Sequence, residues 1–267
     1  MTNGLISPSD VPVVILAGGL GTRLMEETRT VPKPMVTVGE LPIIMHIMKH
    51  YSHFGFKKFV ICLGYKGYTI KEFFLNYAER TADITIKLNS KEGHVLSSKL
   101  EDDWEISLVE TGEHSLTALR LWKARAYLEN SSVFALTYGD GVSNIPLDQV
   151  LKFHCNHDKT GTVSAVHPPS RFGLLEFDSA DGISAFREKE ALINDYINGG
   201  FFFFDNRFLE TLDQKNVALE SDPLTNLAAS GELSAYKHEG FWQCMDTMRD
   251  REYLESLYAD GNAPWCY

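Results

Sequence analysis

The sequence predicts an α/β fold built on a parallel, doubly wound sheet. Short apolar runs at 13–16, 59–64 and 133–138 alternate with segments of helical character, a pattern typical of such sheets. The chain has 267 residues, of which 44% are hydrophobic, so a large core is expected. Sheets of this kind bind ligands at the carboxyl ends of their strands, which is where the motifs described below fall.

Length and charge limit the class of protein. One domain is expected at residues 11–267, preceded by a loose N-terminal extension at residues 1–10. The formal net charge of −11 argues against a nucleic-acid-binding protein, but local cations can still hold an anionic small substrate. No apolar run approaches the roughly 18 residues of a membrane span, and residues 1–10 lack the features of a secretory signal.

The four cysteines are sparse and widely spaced, at Cys62, Cys155, Cys244 and Cys266. None forms a C-x-x-C pair, so a zinc ribbon is not expected. Such spacing in a chain of this length indicates reduced thiols and a cytoplasmic location. The cysteines are expected to be small buried hydrophobic residues.

The first predicted strand runs into a glycine-rich loop. Residues 13–16 are apolar, and the run is then interrupted by small residues, Ala17, Gly18, Gly19 and Gly21. Glycines let backbone N–H groups approach a ligand closely, as in loops that cradle phosphates. Arg23 and a proline-flanked Lys33 add positive charge, so phosphate binding is predicted here rather than a plain turn. The loop matches neither the Walker pattern nor the G-x-G-x-x-G dinucleotide fingerprint.

The next element is an amphipathic helix. It is predicted to begin at Leu41, with Pro42 tolerated near its first turn, and to end at Gly55. His46 and His50 are four residues apart on this helix, a spacing that suits a metal site. Because no third ligand is evident, the sequence favours two histidines on the helix surface.

The remaining elements continue the alternation. Further helices are predicted at 68–80, 118–128, 147–154, 223–229 and 249–258. Further strands are predicted at 59–64, 84–88, 104–109, 133–138, 161–167, 173–178, 183–189, 201–204 and 233–236. The strands at 173–178 and 183–189 are expected to form a hairpin, and 84–88 and 104–109 to flank a surface excursion. Ser115 or Thr117 is expected to cap the helix that follows it.

Two carboxylates are candidates for metal binding. Asp140 follows the strand at 133–138, between two glycines, at the edge of the sheet where ligands bind. A carboxylate with open backbone around it suits a hard divalent cation that bridges to substrate phosphates; a turn aspartate is the alternative. The local sequence around Asp246 favours the N-cap of the helix that contains Arg249.

Together these motifs resemble those of the sugar-phosphate nucleotidyltransferases. The stretch LAGGLGTRL at 16–24, followed by PKPM at 32–35, resembles the signature of that family. Other segments narrow the resemblance to the glucose-1-phosphate cytidylyltransferases: YGDGV at 138–142, RFG at 171–173, INGGF at 197–201, FWQCMDTMRD at 241–250 and APW at 263–265. The resemblance covers about residues 11 to 265.

This resemblance implies a fold and an activity. The fold is a Rossmann-like, three-layer α/β architecture with a mixed, mostly parallel sheet. The activity is nucleotidyl transfer from CTP to a sugar 1-phosphate, α-D-glucose 1-phosphate above all, which gives a CDP-sugar and pyrophosphate. Mg²⁺ is the implied cofactor and a homo-oligomer the implied assembly. The implied pathway is nucleotide-sugar biosynthesis, such as that of lipopolysaccharide O-antigen.

The resemblance also assigns roles to individual residues. The catalytic residues are Arg23, Lys33 and Asp140. The nucleotide-binding residues are Leu16, Ala17, Gly18, Gly19, Gly21, Thr22, Arg23, Thr117 and Gly139. The residues that bind the sugar phosphate are Glu188, Lys189, Asn198 and Gly199. The Mg²⁺ ligands are Asp140 and Asp246, so the resemblance favours metal binding over helix capping for Asp246.

Three departures from the family pattern bear on the substrate. Ala118 and Leu119 replace two glycines, and are expected to crowd the nucleotide site and favour a pyrimidine over a purine. Glu190 replaces a proline beside the sugar phosphate, and residues 190–196 lack the glycine of the family's loop. The alternatives are a pyrophosphorylase that uses UTP or dTTP, a transferase for another phosphorylated acceptor, and a non-catalytic nucleotide-binding regulator.

Overall fold

A computed structural model describes residues 6–86, 93–97, 103–168, 174–179, 182–187 and 195–267. Its helices are α1 (Met25–Thr28), α2 (Ile43–His53), α3 (Gly67–Leu75), α4 (Tyr77–Thr81), α5 (Thr117–Ala124), α6 (Leu147–Cys155), α7 (Asp222–Ala229) and α8 (Met248–Ala259). The first strands are β1 (Pro12–Leu16), β2 (Thr37–Val38), β3 (Leu41–Pro42), β4 (Lys58–Leu63), β5 (Asp83–Ile86), β6 (Gly93–Ser97), β7 (Glu105–Glu110) and β8 (Val133–Tyr138). The later strands are β9 (Gly141–Ser143), β10 (Gly161–Val166), β11 (Leu174–Phe177), β12 (Ile183–Arg187), β13 (Ile197–Asp205), β14 (Leu233–His238) and β15 (Trp242–Cys244).

Seven strands form the central sheet, in the order β14-β10-β13-β8-β1-β4-β7. Strands β8, β1, β4 and β7 are parallel, and β10 is parallel to β14. Strand β13 is antiparallel to both of its neighbours, β10 and β8. The prediction of a mixed, mostly parallel sheet is therefore confirmed. The reversal of β13 puts its first residues at the edge where the parallel strands end, because Phe201 pairs with Thr137.

The core has two halves, one on each face of the sheet. Along β1, Val13 and Ile15 belong to the half that also contains residues of α2, α6 and α8. Val14 and Leu16 belong to the half that contains residues of α5 and α7. Successive side chains of a strand point to opposite faces, so a strand buried on both sides reads as one apolar run. The result is the expected three-layer arrangement.

Several helix boundaries differ from those predicted. Helix α2 begins at Ile43 because Leu41–Pro42 pairs as a short strand with Thr37–Val38. The helix predicted at 68–80 divides at Asn76, whose side-chain amide donates to the carbonyl of Glu72. Asn competes for backbone hydrogen bonds in this way and so favours helix ends.

The caps and the surface excursion also differ. The residue before α5 is Leu116 and no side chain caps this helix, so the prediction of a cap by Ser115 or Thr117 is wrong. Residues Asp83–Ile86 and Gly93–Ser97 pair as a hairpin, whereas the strand at Glu105–Glu110 lies at the edge of the main sheet. The predicted pairing of the strands near 174–177 and 183–187 is confirmed.

The two histidines of α2 are buried, so their prediction as surface residues is wrong. His46 bonds to the carbonyl of Val38, and the indole N–H of Trp265 donates to its Nδ1. Burial lowers the pKa of His50 to about 3. Both rings are 3% exposed or less because the C-terminal residues pack over α2, which local sequence gives no reason to expect.

The cysteines only partly follow the prediction of burial. All four are free, and Cys62 is buried, but Cys155 and Cys266 are exposed and Cys244 is half-buried. Burial raises the pKa of the Cys62 thiol to about 12, so it behaves as a small apolar residue. In the part of the chain that is described, no helix is long and apolar enough to cross a membrane.

Candidate active site

The glycine-rich loop follows β1 at the carboxyl edge of the sheet. Gly21 has φ +62°, and a Cβ atom there would lie 2.7 Å from Cγ2 of Thr28. The hydroxyl of Thr28 donates to the carbonyl of Gly21, which holds this turn against α1. A side chain at position 21 would therefore be strained and crowded, so the loop requires glycine for its shape.

A buried arginine on α5 holds this loop to its neighbours. The guanidinium of Arg120 donates to the carbonyl of Gly18 over 2.8 Å, and to the carbonyls of Leu63 and Gly112 over 3.0 and 2.9 Å. Leu63 is the last residue of β4, and Gly18 and Gly112 lie just after β1 and β7. A Cβ atom on Gly18 would lie 2.1 Å from Nη1, so glycine is needed for this contact.

Sequence reasoning did not assign a role to Arg120. The helix pattern does indicate that Arg120 lies on the buried face of α5, because it is four residues before the buried Ala124 and beside the buried Leu121. The contacts that give it a function involve loops far away in the sequence, and these only the fold brings together.

Charged side chains form a compact cluster beside the loop. The ammonium of Lys33 lies 2.6 Å from Oδ2 of Asp140 and 2.6 Å from Oδ1 of Asp246. Burial lowers the pKa of Lys33, but its two carboxylate partners outweigh that effect and raise the pKa above its ordinary value. Arg23 reaches the other oxygen of Asp246 over 2.7 Å, and its side chain is 73% exposed.

The two aspartates are positioned by a short strand pair. Strand β9 pairs with β15, and the N–H of Met245 donates to the carbonyl of Asp140. Asp246 is not the cap of the closing helix: Thr247 caps α8, in a capping box with Asp250. The side chain of Asp250 also accepts from the N–H of Asp246, so the interpretation of Asp246 as a helix cap is wrong. Its carboxylate instead points at Lys33.

A cavity of about 360 Å³ lies over the loop. All nine residues predicted to bind nucleotide line it: Leu16, Ala17, Gly18, Gly19, Gly21, Thr22, Arg23, Thr117 and Gly139. The lining also includes residues that sequence reasoning did not assign to the nucleotide: Pro34, Ser115, Leu116, Arg120, Tyr138, Ala218 and Glu220. Ala118 and Leu119 are not among the lining residues, and Ala118 packs into the core. The expectation that these two residues crowd the nucleotide site is therefore wrong.

One wall of this cavity is made by the segment before α7. The N–H of Leu116 donates to the side-chain carbonyl of Asn216 over 2.6 Å. The N–H of Leu219 donates to the hydroxyl of Thr117, also over 2.6 Å. The two strips of chain are about 100 residues apart in sequence, so no local motif predicted that they meet.

A second cavity, of about 260 Å³, lies on the other side of the aspartates. Its lining includes the predicted residues Asn198 and Gly199, from the start of β13. The indole N–H of Trp242 donates to the carbonyl of Gly199 over 2.6 Å, which fixes this wall. The lining residues shared with the first cavity are Arg23, Tyr138, Asp140 and Asp246. The other two residues predicted to bind sugar phosphate, Glu188 and Lys189, lie outside the described residues, as does Glu190.

Comparison with known proteins gives consistent results. Residues 12–250 match the family described as nucleotidyl transferase. The chain is 45% identical to the glucose-1-phosphate cytidylyltransferase of Salmonella typhi over 252 residues, which span 94% of this chain and 97% of that protein. It is 38% identical to the probable glucose-1-phosphate cytidylyltransferase of Bacillus subtilis, over 94% and 98% of the two chains. The crystal structure of HddC from Yersinia pseudotuberculosis has a TM-score of 0.66 at 20% identity, over 93% of this chain and 99% of that one, a likeness of fold alone.

Proposed function

The chain belongs to the nucleotidyl transferase family, and from that premise we propose that its two cavities bind the two substrates of one transfer reaction. The first cavity binds CTP, the second binds a sugar 1-phosphate, and the products are a CDP-sugar and pyrophosphate. The observation that carries this proposal is that both cavities are lined by Arg23, Tyr138, Asp140 and Asp246. Substrates placed in them would bring their phosphates together at this shared wall.

The identity of the substrates is supported by the relatives. The proteins of Salmonella typhi and Bacillus subtilis carry the name glucose-1-phosphate cytidylyltransferase, and the matches span nearly their whole length. We therefore take CTP as the nucleotide and α-D-glucose 1-phosphate as the acceptor. The product, CDP-glucose, enters nucleotide-sugar biosynthesis, and O-antigen synthesis is one such use.

The chemistry is a single in-line displacement. An oxygen of the sugar phosphate attacks the α-phosphorus of CTP, and a new P–O bond forms. The bond from the α-phosphorus to the bridging oxygen breaks, and its electron pair leaves with pyrophosphate. No covalent intermediate on the protein is required. Such reactions are accelerated mainly by positioning and by neutralising negative charge that develops on the phosphates.

The residues of the cluster divide this work. Backbone N–H groups of the loop around Gly18 and Gly21 cradle the phosphates of CTP. Arg23, whose side chain is exposed at the mouth of both cavities, neutralises the departing pyrophosphate. Lys33 stabilises the phosphates from the loop side. Asn198 and Gly199 hold the sugar, and the carbonyl of Gly199 is itself fixed by the indole N–H of Trp242.

The acceptor phosphate is assigned to the segment after β12. The family resemblance gives Lys189 the task of holding this phosphate, with Glu188 beside the sugar. Both residues follow Ile183–Arg187 directly in the chain, and both lie outside the described residues. Their roles remain part of the proposal on sequence grounds.

The two aspartates suit a magnesium ion. Both carboxylates lie within 2.6 Å of one ammonium nitrogen, so they converge on one cation position. Within the described residues no group of three or more His, Cys, Asp or Glu side chains could hold a metal. The pair of convergent aspartates fits Mg²⁺, which is commonly bound by one or two carboxylates together with substrate phosphates and water. When bound, Mg²⁺ would supply positive charge against the α-phosphate.

Two further features belong to the proposal. A homo-oligomer is proposed from the resemblance, and sedimentation of the purified protein tests it. A cytoplasmic location is proposed because all four cysteines are free, as expected for a reducing compartment.

The reaction is tested by a pyrophosphate-release screen. CTP, UTP, dTTP, ATP and GTP are each combined with glucose, galactose and mannose 1-phosphates in the presence of Mg²⁺. The expected result is fastest release with CTP and glucose 1-phosphate. The same screen of the variant Asp140→Asn is expected to show almost no release, whereas the matched control Asp213→Asn, the same change at an exposed surface position, should keep the wild-type rate. Release with no pair, or a preference for ATP or GTP, would contradict the proposal.

A further inference from the structure

The first cavity contains a carboxylate that the proposed chemistry does not use. Glu220, just before α7, lines the cavity together with Asp140 and Asp246. The two aspartates bond to Lys33, whereas no lysine or arginine in the described part of the chain forms an ion pair with Glu220. A carboxylate at a substrate cavity without a cation partner is free to accept hydrogen bonds from a ligand.

The carboxylate of Glu220 is held in place by two hydroxyl groups. The hydroxyl of Tyr138 donates to Oε1, and the hydroxyl of Thr117 donates to Oε2 over 3.3 Å. Thr117 in turn accepts from the N–H of Leu219, which leaves its proton available for Glu220. Because a carboxylate has about four lone-pair positions, two remain for a ligand in the cavity.

The position of Glu220 in the cavity indicates which part of the nucleotide it meets. Arg23, Lys33 and the glycine-rich loop supply positive charge and N–H groups for the phosphates. Glu220 is anchored on the start of α5, through Thr117, and on Tyr138, at the wall that the two cavities share. A nucleotide whose phosphates lie on the loop has its base as the other recognisable group. This step rests on the proposed function.

The base that fits is one that presents a donor to the carboxylate. The 4-amino group of cytosine donates hydrogen bonds, whereas uracil has an acceptor, O4, at the same position. At the start of α5 the N–H of Ala118 donates to the carbonyl of Val217, but the N–H of Thr117, a lining residue, forms no hydrogen bond within the described residues and remains as a donor for N3 or O2 of cytosine. An acceptor on one side and a donor on the other match cytosine, and uracil O4 would face the negative charge.

We propose that Glu220 binds the 4-amino group of cytosine and selects CTP over UTP. The carboxylate accepts a charge-assisted hydrogen bond from the amino group of CTP. With UTP it makes no such bond and repels O4.

The test compares Glu220→Gln with the wild type. A glutamine side chain has the same shape, and its amide can donate to O4 of uracil. The kcat/KM for CTP is expected to fall about 10- to 100-fold, the effect of losing a hydrogen bond to a charged group. The kcat/KM for UTP is expected to hold or rise, so the CTP/UTP ratio collapses. The matched control is Glu210→Gln, an exposed residue outside the cavity, which should keep the wild-type ratio.

A binding measurement separates this inference from the proposed reaction. Dissociation constants for CTP and UTP, measured by calorimetry without acceptor, should show the same change in ratio for Glu220→Gln. If the wild type releases no pyrophosphate, the proposed reaction fails while the binding ratio still tests Glu220. Equal losses for CTP and UTP would overturn the inference, since they would indicate contact with the ribose or support of the wall. A wild-type protein that binds both nucleotides equally would overturn it as well.

Discussion

Replacing Arg120 with methionine should destabilise the protein and loosen its nucleotide site. The guanidinium is almost fully buried and donates to Gly18, Leu63 and Gly112, which belong to three segments at the carboxyl edge of the sheet. Methionine is of similar length and fills the space with an apolar chain. The change therefore removes the hydrogen bonds while it limits the size of any cavity.

The magnitude follows from the bonds that are lost. Hydrogen bonds to a charged group contribute about 1.5–3 kcal/mol each, but several effects offset their sum. The carbonyl of Leu63 keeps the N–H of Thr111 as a donor, and water in the cavity can reach Gly18. Burial of the charged guanidinium is itself unfavourable, and for that reason the pKa of Arg120 is lowered. We expect a net loss of about 3 kcal/mol, or roughly 6–12 °C in Tm for a domain of this size.

The assay is urea unfolding at pH 7.5, paired with CTP titration of the folded variant. Arg120→Lys is the control: it keeps a charge and up to three donors but cannot span three loops, so it should lie between the other two proteins. The affinity for CTP should fall more than the rate at saturation, because the loop that holds the phosphates has lost its anchor. A free energy of unfolding within about 0.5 kcal/mol of the wild type, with unchanged CTP affinity, would refute the reasoning.

Three other changes have distinct expected results. Asp140→Asn should nearly abolish turnover and weaken Mn²⁺ binding, measured by electron paramagnetic resonance, because it removes one of two convergent carboxylates. Arg23→Ala should lower kcat about 10²- to 10³-fold with no change in Tm, because the exposed side chain serves the phosphates rather than the core. The free energy of unfolding should fall by roughly 2 kcal/mol on going from pH 7.5 to pH 5 through His50, measured by urea titration, because its pKa is about 3 when folded and about 6.5 when unfolded.

Each of these predictions has an outcome that would contradict it. Near-normal rates of Asp140→Asn at saturating Mg²⁺ would exclude an essential ligand at that position. For Arg23→Ala, a sharply lower Tm with normal turnover per folded molecule would mean a structural role. The pH effect has a defined sign: the unfolded state gains the proton first, so stability is lost as pH falls from about 6.5 toward 3. His50→Gln should lose part of this dependence, and an unchanged slope would contradict the assignment.

The fold was predictable because its elements are local and strongly patterned. The runs around Val13, Val60 and Phe134 are buried on both faces, which leaves an unbroken apolar stretch that few other structures produce. The boundaries were less predictable, as at Leu41–Pro42, where a two-residue strand precedes the helix. The burial of His46 could not be read from α2, since it depends on Trp265 at the far end of the chain.

The site divides in the same way. The phosphate loop and the aspartates were found because each is a short, contiguous motif at a strand end. The roles of Arg120 and Glu220 were not predicted, because their contacts join segments that are separated by tens of residues or about 100 residues. Ala118 shows the opposite error: its place in a motif suggested contact with the nucleotide, but its helix turns the side chain into the core. The sequence therefore predicts the functional residues that lie in one contiguous motif, but not those whose roles depend on contacts between distant segments.

The wall shared by the two cavities makes substrate binding a coupled equilibrium. Tyr138 and the two aspartates belong to both cavities, so a ligand in one of them changes the surface that the other ligand meets. Whatever factor the sugar phosphate imposes on the affinity for CTP, CTP must impose the same factor on the affinity for the sugar phosphate. The sign of that coupling sets how much of the protein carries both substrates at once: a favourable factor raises the population of the ternary complex, and an unfavourable one lowers it.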